Sequence, residues 1–154
     1  MASFLDNAAN WSLHSVPVAF LLCMLPHAYA IKTAGDKYDV NLPARTIELL
    51  SSDKTFDKVK LNRFRRAKAA SANGFETLAL YAGGIVAANA AGVATPTLNK
   101  LALSYLISRG LFNYIYVFLQ DNKKFAPVRT LVWMMGIGII FGLYISAGNA
   151  FSQA

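Results

Sequence analysis

Arg66, Asn73 and Glu76 lie seven and then three residues apart, a spacing that puts all three on one face of a helix. Arg109, Asn113 and Tyr116, four and then three apart, share a face of another. If the two faces meet, they enclose a cationic, hydrogen-bonding cleft suited to a small, polar, multiply charged ligand. The plainer alternative is that Arg109 pairs with Glu76 so that each neutralises the other in an apolar setting.

The elements that carry these residues are apolar. Thr77 to Gly92 has no charged residue, so Asn73 and Glu76 stand at the mouth of a membrane-type helix or within it. A carboxylate there is costly without a partner, which makes it a functional candidate by default. Of the 154 residues 55% are hydrophobic and 15% charged, a balance that fits a polytopic membrane protein better than a soluble domain. Four apolar segments are expected to span, at about 11–31, 59–91, 98–119 and 128–150, in one all-α domain covering 1–154. Small residues recur every four positions at Ala79, Gly83, Ala87 and Ala91, and again at Gly138, Gly142 and Ser146, so other helices can approach closely there.

The net charge of +7 is not spread evenly: ten of the fifteen Lys and Arg fall between Lys32 and Lys68. The first part of that stretch, 32–60, reads as a basic loop held at the cytosolic membrane surface, with a short helix near 44–50. Lys123, Lys124 and Arg129 place the third loop on the same side, which leaves both termini lumenal. Basic residues that adjoin apolar spans, with no soluble core around them, disfavour a nucleic-acid partner. A cleaved leader ending near Ala28-Tyr29-Ala30 is disfavoured too, because Asp6 and no Lys or Arg precede the apolar run. Cys23, the only cysteine, is expected to serve packing, and nothing around His27 supplies a metal-binding set.

In this order the residues resemble the MAPEG family, the membrane-associated proteins in eicosanoid and glutathione metabolism. The resemblance covers nearly the whole chain. Its motifs are Arg66-Ala67 with Asn73-x-x-Glu76, Arg109 with Tyr116 seven residues on, and Ala126-Pro127-Val128-Arg129. Pro26-His27-x-Tyr29 and Asn73-Gly-Phe-Glu look most like the fungal branch. The resemblance implies a homotrimer of four-span subunits in the endoplasmic reticulum membrane, with glutathione bound between subunits near the cytosolic face. It implies that Asn73 and Glu76 hold the glutathione backbone, that Arg66 and Arg109 hold its carboxylates, and that Asn113 and Tyr116 add hydrogen bonds. Arg129, or alternatively Lys124, would stabilise the thiolate that attacks a lipophilic electrophile. The implied activity is that of a glutathione transferase or peroxidase. The chain departs from the family pattern at Ala69, where many members carry Arg, at Phe112, where many carry Tyr, and at Ser71, where the fungal branch would carry His. Those departures keep a second class open: a glutathione-independent isomerase or cyclase of a lipophilic metabolite, or a non-catalytic membrane scaffold on the same fold.

Overall fold

The computed structural model describes residues 9–153, and every regular element among them is helical. Asp6 lies outside the described residues. Four long helices form the body: α1 (Ser15–Ala34), α3 (Lys58–Ala90), α4 (Thr95–Val117) and α5 (Ala126–Phe151). A short helix, α2 (Thr46–Ser52), interrupts the basic loop. α1 packs on α3 and α4, and α3 also packs on α4 and α5, which lie against each other.

Local chemistry sets the helix ends. The Asp57 carboxylate caps α3 by accepting the Lys60 N–H at 2.8 Å. At the other end Gly92, at φ 71°, reverses the chain, and the Val93 N–H reaches the Ala88 carbonyl at 3.0 Å. Pro96 and Pro127 sit in the first turns of α4 and α5, where no N–H is needed.

Three of the long helices, α1, α4 and α5, are long and apolar enough to cross a membrane. α3 differs from the four-span expectation. Its 33 residues suffice in length, but its uncharged run begins only at Thr77, and a window of membrane length takes in Asn73 and Glu76. The polar ladder that marks α3 as chemical is what lowers its hydropathy.

Pro26 lies inside α1 and offers no N–H to the Leu22 carbonyl four residues earlier. Asn113 of α4 fills that place, donating Nδ2–H to the Leu22 oxygen at 2.8 Å. One helix thus repairs the backbone of another, as buried peptide groups in lipid require.

The core falls into two clusters. One gathers Ala19, Tyr81, Ile85, Tyr105, Ile140 and Leu143, with Tyr81 and Tyr105 stacked at 3.7 Å between ring centroids. The other gathers Ala30, Leu50, Phe64, Phe112, Ile115 and Val132. Buried Cys23, Thr77, Ser108 and Arg109 belong to neither cluster. Close approach is enforced here by glycine. A Cβ on Gly74 would stand 2.8 Å from Cys23 Sγ, and one on Gly136 would stand 2.6 Å from an Arg109 Nη. Of the small-residue stripes, Gly83 admits the Tyr144 hydroxyl, which donates to the Leu80 carbonyl at 3.0 Å, whereas a Cβ on Gly138 would meet nothing within 4 Å.

Candidate functional site

A cleft of about 430 Å³ opens between α3, α4 and α5. α3 contributes Asn73 and Glu76, because residues three apart on a helix are neighbours along one face. Tyr116 and Phe112 enter from α4, again one turn apart, and Arg129 and Trp133 enter from the first turns of α5. Ala69 and Ala72 supply small walls that leave the space open.

The cleft is short of partners for its polar atoms. Asn73 Oδ1 and Trp133 Nε1, one an acceptor and the other a donor, are buried with no hydrogen-bond partner among the described residues. Glu76 is exposed and makes no ion pair or hydrogen bond among the described residues. The Arg109–Glu76 pair that would neutralise both is therefore not formed. Unsatisfied buried polar groups cost about 1–3 kcal/mol each, so their clustering around one open space points to a ligand that completes them.

Arg129 is the cation of the cleft. Its guanidinium carbon sits 4.7 Å from the centroid of the Tyr116 ring, and Nη1–H reaches the side-chain oxygen of Gln120 at 3.4 Å. Stacking on an aromatic face suits guanidinium better than ammonium. Lys124, the alternative, lies on an exposed turn at Lys123–Phe125 and does not line the cleft.

The remaining candidates are engaged elsewhere. Arg66 is ion-paired to Asp121 and donates to the Val117 carbonyl at 3.0 and 3.3 Å through Nη2 and Nε. Arg63 joins it on the same carboxylate, with Nε at 2.8 Å. Hydrogen bonding to Asp121 holds Arg63 above the ordinary guanidinium pKa, so the pair stays ionised. Arg109 is only 2% exposed and, among the described residues, has no hydrogen-bond partner for its side-chain nitrogens. Its charge rests instead over the rings of Phe112 and Tyr105, at 5.0 and 5.6 Å to the centroids. Phe112, which lines the cleft, stands in contact with that buried cation. Asn113 is taken up with Leu22 and lines a separate apolar groove between α1 and α4.

Trp133, like Ala72 and Thr130, lines the cleft without standing out in the sequence, and of the three it carries the buried unpartnered donor. Its signal is its spacing, four residues after Arg129, which places both on one face of α5.

The sequence model of the MAPEG family matches residues 13–149. No curated protein and no solved structure matches the chain.

Proposed function

The chain belongs to the MAPEG family, and from that premise we propose that it is a membrane-bound glutathione transferase or peroxidase that activates the glutathione thiol for attack on a lipophilic electrophile. The family comprises membrane proteins, largely enzymes, and includes glutathione transferases, peroxidases and isomerases. The observation that carries the finer reading is the cleft, in which a free carboxylate, two unpartnered buried dipoles and a ring-seated guanidinium converge.

Bound glutathione would supply the thiol. Glu76 offers its carboxylate to the ammonium group, Asn73 and the Trp133 N–H offer an acceptor and a donor to the peptide units, and Tyr116 offers a hydroxyl. Arg129 stands where positive charge favours a thiolate over a thiol. Free thiols titrate near 8.5, and each tenfold gain in thiolate needs about 1.4 kcal/mol, within reach of one desolvated charge pair. A thiol held there would release its proton to water, and its sulfur would bond the electrophilic carbon as the leaving group departs with the displaced electron pair. The lipophilic partner arrives through the bilayer, and we place the enzyme as a fungal-branch homotrimer in the endoplasmic reticulum, with the basic loops cytosolic.

The deciding measurement is the ultraviolet thiolate band on mixing glutathione with detergent-purified protein near neutral pH. Wild type is expected to show the band and Arg129→Ala to lose it while still binding glutathione by calorimetry. A second reading, a glutathione-independent isomerase or a scaffold, takes its support from the engagement of Arg66 with Asp121 and the burial of Arg109, which leave the carboxylates of glutathione without these two partners. Calorimetry that detects no glutathione binding to wild type would select it.

A further inference from the structure

The turn that joins α4 to α5 is fastened at two points. Arg66 binds the Val117 carbonyl, one of the last acceptors of α4 that lacks a helical donor, and Arg66 and Arg63 together hold Asp121. Between these points lies a single turn of 3₁₀ helix, Leu119–Asp121. Its middle residue, Gln120, accepts from Arg129 at the rim of the cleft. Two arginines of α3 thus set the position of a turn whose side chain touches the cation of the site. Among the described residues Arg129 has one further contact that would orient it, the Tyr116 ring.

We propose that Gln120 and Asp121 are positioning residues for Arg129: Asp121, clamped by Arg63 and Arg66, fixes the turn, and Gln120 holds the Arg129 guanidinium against Tyr116 so that its charge points into the cleft. The consequence for catalysis rests on the transferase reading, but the positioning itself does not. It also gives Arg66 a task other than contact with the ligand. A guanidinium left to swing on its stem spends part of its time in water, where its influence on a thiol falls with distance and dielectric.

The test has a glutathione-independent arm and a glutathione-dependent arm. In the first, phenylglyoxal modification of the detergent-purified protein is followed by peptide mass, with exposed Arg45 as internal reference. Gln120→Ala and Asp121→Asn are each expected to speed modification of Arg129 several-fold, the double variant is expected to do no more than either alone, and Gln120→Glu is expected to slow it. Unchanged rates, or effects that multiply in the double variant, would overturn the proposal. Should Asp121→Asn lose its thermal transition, the two Gln120 variants decide the matter. In the second arm, the thiolate fraction of bound glutathione near neutral pH is expected to fall about threefold or more in Gln120→Ala, with affinity nearly unchanged, corresponding to roughly half a unit in the pKa of the bound thiol. A wild type that forms no thiolate removes the transferase reading alone, because the labelling rates stand without it.

Discussion

Gly136 and Arg109 fit one another to within a methyl group. The Cβ of an alanine at 136 would lie 2.6 Å from an Arg109 nitrogen and 3.3 Å from its central carbon, so the buried guanidinium must shift from its position over Phe112 and Tyr105. Gly136→Ala is expected to lower stability by about 1–3 kcal/mol, the usual effect of overfilling a packed interior. Thermal unfolding in detergent checks it, and an unchanged midpoint would contradict the packing described. At this scale the sequence was legible where spacing alone decides neighbours: Asn73 and Glu76, three apart on one helix, line one cleft. It was less legible where partners come from afar. Arg66 shares the face of Asn73 but stands two helical turns away, about 10 Å along the axis, and there it meets Asp121.

Helices interact here by mending one another. Pro26 deprives the Leu22 carbonyl of its helical donor and Asn113 replaces it, so the two side chains form one functional unit of α1 and α4. Asn113→Leu is expected to cost about 1–3 kcal/mol, the penalty for an unsatisfied buried carbonyl. In a Pro26→Ala background the restored N–H meets that carbonyl, and the same substitution is expected to cost at least about 1 kcal/mol less. A double-mutant cycle on unfolding free energies measures the difference, and additivity would refute the pairing. The helices themselves could be read in the sequence from apolar runs and from Pro and Gly at their ends. The destination of Asn113 could not, since its helical face pointed equally well toward a ligand, and only the distant proline explains where it went.

The whole molecule is asymmetric in charge. Basic residues crowd the loop between α1 and α3 and the turn between α4 and α5, at one end of the bundle. In sealed microsomes with both loops cytosolic, an impermeant maleimide is expected to label Lys54→Cys without permeabilisation, buried Cys23 giving no background. Labelling that requires permeabilisation would reverse the orientation. The membrane character was plain from composition. That one long helix falls short of the hydropathy of a span was not, because length and the uncharged run after Glu76 suggest a span, while a window of membrane length must also take in Asn73 and Glu76.

The apolar interior is divided in two. Tyr81, Tyr105 and Leu143 anchor one cluster and Phe64, Phe112 and Val132 the other, and they share no residue. Phe112, Tyr116 and Trp133 of the cleft all belong to the second cluster or pack against it. Among the described residues only the buried Arg109 guanidinium touches a ring of each, Tyr105 of the first and Phe112 of the second, so a change of shape in one half is felt at the cleft chiefly through that one cation.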